Sequence, residues 1–155
     1  MHILTFQPLS FLLYLFIHLS LFEDSMTYPL ILTPLINATS SLALAVAQPK
    51  DEFIRDAVIQ RFEYTYELCW KFIKRDLSED LGADTINMLS RRDLFRTAAD
   101  KGLIADPLPW FTFHKARNET SHTYNKQTAE QTYLIALEFL PCAQALLDKL
   151  VNKHA

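Results

Sequence analysis

The sequence predicts an all-α fold, an antiparallel four-helix bundle with an extra short helix, and three observations carry that expectation. Only two glycines occur in 155 residues, too few for the positive-φ turns of a many-hairpin β fold. Apolar side chains recur at three- and four-residue steps along most of the chain after residue 33, the period of one helix face. Half the residues are hydrophobic and 12% are aromatic, enough for one domain of this length to build a continuous core.

The first 25 residues stand apart from that pattern. Met1 to Phe22 contains no Asp, Glu, Lys or Arg, and Leu9 to Phe22 is almost wholly apolar. That run is shorter than the ~20 apolar residues a membrane span requires, and it carries His18. A signal peptide would need a cationic start and a small-residue cleavage site, yet no Lys or Arg precedes Lys50. The expectation is that translation begins at Met26 and that residues 1–25 are upstream sequence of an overextended reading frame. The alternatives are a membrane anchor or an extra helix packed on the domain. Residues 26–155 form the helical domain.

Within the domain, Thr33-Pro34 reads as a cap followed by proline at the first helical position. Leu35, Ile36, Thr39, Leu42, Ala43 and Val46 then form a short amphipathic helix that closes at Gln48-Pro49. The longest pattern runs from Asp51 to about Leu81. Val58, Phe62, Thr65, Cys69 and Phe72 make one stripe, and Ile59, Tyr66, Trp70, Ile73 and Leu77 widen it, with Gln60, Glu67, Lys71, Lys74 and Ser78 opposite. A stripe that wide implies burial against more than one helix, and Tyr66, Trp70 and Trp110 read as core aromatics.

Ser90 to Asp93 is a capping box that opens a helix through Leu94, Phe95 and Ala98, ended by Lys101-Gly102. Asp106-Pro107 caps another helix, through Trp110, Phe113 and Lys115. Thr128 to Gln131 reads as a second capping box. After it Ala129, Tyr133, Ala136, Leu140, Ala143, Leu147 and Leu150 repeat without a break, with Pro141 in the middle as an expected kink.

Net charge is −3 and the pI about 5.9, so the chain as a whole does not attract polyanions and any such contact must be local. Cys69 and Cys142 fall at apolar helical positions, as buried free thiols suited to a reducing cytoplasm.

The segment Arg117 to Tyr124, RNETSHTY, is the chemically dense one. Arg117 and His122 lie about 140° apart on an ideal helix, so they meet only if the helix ends near Asn118 to Ser121, where Asn, Thr and Ser can bond the backbone locally. If they meet, a guanidinium suits a phosphodiester and its transition state, and an imidazole can exchange protons with a ribose 2′-hydroxyl or a leaving 5′-oxygen. By spacing alone a solvated helix end is the commoner outcome, and His114 fits surface decoration. No carboxylate or Cys/His spacing suggests a metal, and no cofactor is expected.

Arg117-Asn118-x3-His122-x-Tyr124 resembles the Arg-x4-His-x-Tyr signature of the HEPN superfamily. Asp56 to Lys71, Ser90 to Ile104 and Tyr133 to Leu150 are similar to one branch of it, the nucleotidyltransferase substrate-binding proteins of HEPN–MNT toxin–antitoxin pairs. The similarity spans roughly residues 30–152.

The resemblance implies a homodimeric, cytoplasmic endoribonuclease acting on RNA rather than DNA, without a membrane or a metal, and neutralised by a cognate minimal nucleotidyltransferase. It implies that Arg117 stabilises phosphate, His122 is the general acid/base, Asn118 shapes the site and Tyr124 accepts AMP. Arg91, Arg92 and Arg96 would extend the positive patch, and Gln60, Arg61 and Glu63 would brace the site. The other reading is a non-catalytic subunit that docks substrate for, or regulates, a nucleotidyltransferase.

Overall fold

A computed structural model describes residues 30–155; the expectations for residues 1–25 lie outside it. Among the described residues there are six α-helices and one 3-10 turn, and no strand. They are α1 (Thr33–Val46), α2 (Glu52–Leu81), α3 (Ala83–Asn87), α4 (Arg91–Asp100), α5 (Pro107–Glu119), the 3-10 turn Thr120–His122, and α6 (Lys126–Lys153). None of these helices is long and apolar enough to cross a membrane.

The start signals act through side-chain oxygens that take otherwise unpaired amides. Asp51 accepts from the Ile54 amide, Ser90 from Asp93 and Asp106 from Leu108. Gly102 adopts φ +74°, the left-handed stop expected after α4. Two caps differ from expectation. Thr33 is the first residue of α1 and caps nothing. Asn125, not Thr128, caps α6, its Oδ1 accepting from both Gln127 and Thr128 amides, so the helix begins nearly a turn earlier. It then runs unbroken through Pro141.

The four helices α1, α2, α5 and α6 reverse direction at each step, as their contacts show. Ala38 faces Thr65 while Ser41 faces Arg61, and His114 meets Tyr66 while Arg117 meets Glu63. It follows that α2 and α6 run parallel, and they are tied at both ends. Arg55 and Lys50 hold Glu130 at one end. Lys153 and His154 hold Asp76 at the other, at 3.0 and 2.7 Å.

The element expected to be minor, α1, is a full bundle member: Leu35 and Leu42 are completely buried, whereas Ile36 is exposed. α3, which sequence periodicity did not suggest, covers the end of α2 with Ile86. Along α6 the buried face is Thr132, Phe139 and Leu146 beside the expected Ala129, Tyr133, Ala136, Ala143 and Leu150, while Leu140 and Leu147 are only half-buried.

Phe139 is the centre of the core. Its ring meets Phe62 of α2 at 5.1 Å and Phe113 of α5 at 5.2 Å, both edge-on, the geometry aromatic quadrupoles favour. Trp110 and Tyr66 are buried as expected. Trp70 is not: it is half-buried, with the Arg91 guanidinium 3.3 Å above its ring. Cys69 is fully buried, which pushes its thiol pKa up, and Cys142 is half-buried.

Candidate functional site

Helix α5 ends where the motif needs it to end. Thr120 Oγ1 donates to the Arg117 carbonyl at 2.8 Å, and Thr123 Oγ1 donates to the Thr120 carbonyl at 2.9 Å. These hydroxyls satisfy the carbonyls an ending helix exposes, and the chain tightens into the 3-10 turn at Thr120–His122. The sequence-predicted break is therefore real.

Arg117, in the last turn of α5, turns its side chain onto α2. Its Nη2 lies 3.3 Å from Glu63 and its Nε 3.0 Å from Glu67, and Nη1 donates to Thr120 Oγ1 at 3.4 Å. The Nε proton is not aligned on the carboxylate and makes no hydrogen bond. Glu67 bridges, since its other oxygen accepts from Trp70 Nε1 at 2.8 Å.

Of the residues expected to brace the site, Glu63 does so directly, while Arg61 instead donates to Ser41 on α1 and to the Ala57 carbonyl. Glu67 was expected on the solvent face. It is half-buried because α5 packs over it, and the only sequence signal was its place one turn after Glu63.

His122 is exposed, and its ring stands edge-on to Tyr124 at 6.2 Å. No hydrogen bond joins it to Arg117 within this chain. Neither side chain lines the nearby cleft, but each touches a residue that does. A polar hollow of about 340 Å³ lies between α2 and the turn, lined by Asp56, Gln60, Glu63, Thr120, Thr123 and Tyr124. Glu63, which grips Arg117, is on one side. Tyr124, against which His122 rests, is on the other. Tyr124 is 87% exposed, so its hydroxyl is open to another macromolecule. Asn118 is exposed and lines a different cleft, beside His114 and Arg92.

Behind Arg117 sits a half-buried polar cluster. The Tyr66 hydroxyl lies 2.8 Å from His114 Nδ1. Burial, followed by the charge of Arg91, pulls the His114 pKa below its usual value, and Arg117 adds to the effect. Burial keeps Tyr66 protonated and lowers the Arg91 pKa. Arg91 is half-buried over the Trp70 ring in this corner rather than part of an exposed patch. Among the described residues no group of His, Cys, Asp and Glu is arranged to hold a metal ion.

The geometry can be set beside known proteins. Residues 30–152 match the family model described as nucleotidyltransferase substrate binding protein like. A curated relative from Haemophilus influenzae, named probable ribonuclease HepT, is 37% identical over 97 residues, 62% of this chain and 66% of that protein. The match thus spans just under two thirds of that relative.

A solved Haemophilus influenzae structure, described as revealing the fold of a substrate-binding domain of a nucleotidyltransferase, superposes with a TM-score of 0.73 at 33% identity, covering 77% of this chain and 98% of the other. A structure from Thermus thermophilus gives a TM-score of 0.65 at 29% identity, covering 75% and 98%. With the helical bundle, the broken helix and its motif in place, the chain belongs to the nucleotidyltransferase substrate binding protein-like family, the branch of the HEPN superfamily that its sequence resembles.

Proposed function

We propose that this protein is the toxin of a toxin–antitoxin pair, a cytoplasmic endoribonuclease that works as a homodimer and is silenced when a cognate minimal nucleotidyltransferase attaches AMP to Tyr124. The observation that supports the reading is the break of α5 at Thr120–His122, which ends the helix between Arg117 and His122, with Arg117 on Glu63 and His122 against Tyr124, two residues that line one polar cleft.

In the reaction a ribose 2′-oxygen attacks the adjacent phosphorus and the 5′-oxygen leaves, giving a cyclic phosphate and a free hydroxyl. His122 moves the proton that this exchange requires, and Arg117 offsets the charge that builds on the phosphoryl oxygens. Asn118 shapes the approach. AMP on Tyr124 adds a phosphodiester and a base two residues from His122, placing bulk and negative charge where RNA phosphate has to sit. A paired copy would bring a second motif to the same place, concentrating positive charge that one acidic chain lacks.

The hold on Arg117 is compatible with this. Ion pairs as exposed as those with Glu63 and Glu67 contribute on the order of 0.2–1 kcal/mol each, so a doubly hydrogen-bonded phosphate can replace them. The same ion pairs favour the second reading, a subunit that binds without cleaving, because they occupy the guanidinium in the single chain.

Expression of the chain, of Arg117→Ala and of His122→Ala separates the two. Growth arrest and RNA cleavage are expected from the parent, with a loss of about 100-fold or more in either variant. A folded, AMP-free parent that neither arrests growth nor cuts RNA establishes the binding subunit. Mass spectrometry of co-expressed protein should place AMP on Tyr124, and AMP found elsewhere removes its assigned role.

A further inference from the structure

A second cleft, of about 360 Å³, opens between α4 and the end of α5, lined by Arg92, Phe111, His114, Lys115, Asn118 and Glu119 among others. The Arg92 guanidinium lies 4.7 Å from the centre of the Phe111 ring, with Arg96 at 5.4 Å. Arg96 is paired with Asp93 at 2.9 Å. Arg92 and Lys115 are exposed and have no ion-pair partner among the described residues, in contrast to Arg117. Glu119 is the one carboxylate in the lining, so the cleft is cationic on a chain of net charge −3.

His114 adds an oriented donor. With the Tyr66 hydroxyl assigned as donor to Nδ1, the neutral ring carries its proton on Nε2. Asn118 joins this cleft to the motif, being the residue after Arg117.

We propose that this cleft is a subsite for single-stranded RNA beside the candidate cleavage site, with Arg92 and Lys115 taking a backbone phosphate and Phe111 offering a base its stacking surface. The inference rests on the ribonuclease reading and extends it to how substrate is held. Two unneutralised cations next to a half-exposed ring are the combination that grips a single strand, since phosphate and base are engaged together. A duplex keeps its bases stacked inside and cannot use the ring. With Arg91 turned onto Trp70, Arg92 faces this cleft, because consecutive helical residues point about 100° apart.

The test uses the full chain carrying His122→Ala, so that RNA is not consumed, and follows anisotropy of a labelled oligoribonucleotide of about ten nucleotides across a salt series. Arg92→Gln with Lys115→Gln should weaken binding and lower the slope of log affinity against log salt by about 0.7 for each phosphate contact removed. Phe111→Ala should weaken binding about fivefold or more with little change of slope. Unaltered melting of the charge variant shows that it is folded. If that variant keeps parental affinity and slope, the subsite is overturned, and equally so if it loses only its hold on the nucleotidyltransferase. A parent chain that binds no RNA overturns the ribonuclease reading itself, and the subsite with it.

Discussion

A guanidinium gripped by two half-exposed carboxylates is poised for exchange, and the neighbourhood of Arg117 decides what it can exchange with. Charges of both signs crowd this corner: Glu63 and Glu67 from α2, Arg91 from α4, and His114 beside Arg117 on α5. His114 reports on it. Its pKa is depressed in the fold, so the unfolded chain binds a proton at higher pH than the folded one does. Its contribution to stability is therefore complete above the ordinary histidine value of about 6.5 and is lost as pH falls through the folded value. Urea unfolding at about pH 7 and pH 5 should show a fall in stability that is smaller in His114→Gln than in the parent; equal falls would contradict the burial argument. Arg117, His122 and Tyr124 stand out in the sequence as a candidate set, because the motif is contiguous and the hydroxyls that end its helix sit inside it. Glu67 was not, since what makes it part of the site is α5 lying across it.

At the scale of elements, α2 and α6 act as parallel struts tied at each end. Asp76 is only 1% exposed and depends on Lys153 and His154 for its partners. Lys153→Ala combined with His154→Ala leaves that carboxylate unpaired and should cost about 1–3 kcal/mol by urea denaturation. Asp76→Asn introduced on top should recover part of the loss, because a neutral amide is cheaper to leave in place. Caps at Ser90 and Asp106 could be read because each is a short-range hydrogen bond encoded within three residues, and Asp51, read only as the start of the long pattern, caps α2 in the same way. The start of α6 was misplaced because Asn125 is equally able to cap and stands ahead of a box that looked complete. α3 carries five residues, too few for a periodic signal. The tie at Asp76 joins residues 77 apart, and no local pattern announces it.

For the molecule as a whole, one ring fixes the spacing of the helices that bear the site. Phe139 is completely buried between Phe62, Trp110 and Phe113, so α2, α5 and α6 all rest on it. Phe139→Ala should destabilise the chain by about 3–5 kcal/mol, seen as a lower denaturant midpoint. A loss under about 1 kcal/mol would mean that the core closes over the gap. The bundle was legible from its periodicities, and on α6 Ala129, Tyr133, Ala136, Ala143 and Leu150 of the expected stripe are buried, while Leu140 and Leu147 lie at its edge because Phe139 and Leu146 take the central places. Against that firm interior, the phenol of Tyr124 projects outward from a turn and contributes nothing to the centre. On the reading proposed above, AMP joined to its oxygen leaves that interior untouched, so the modified and unmodified chains share one fold.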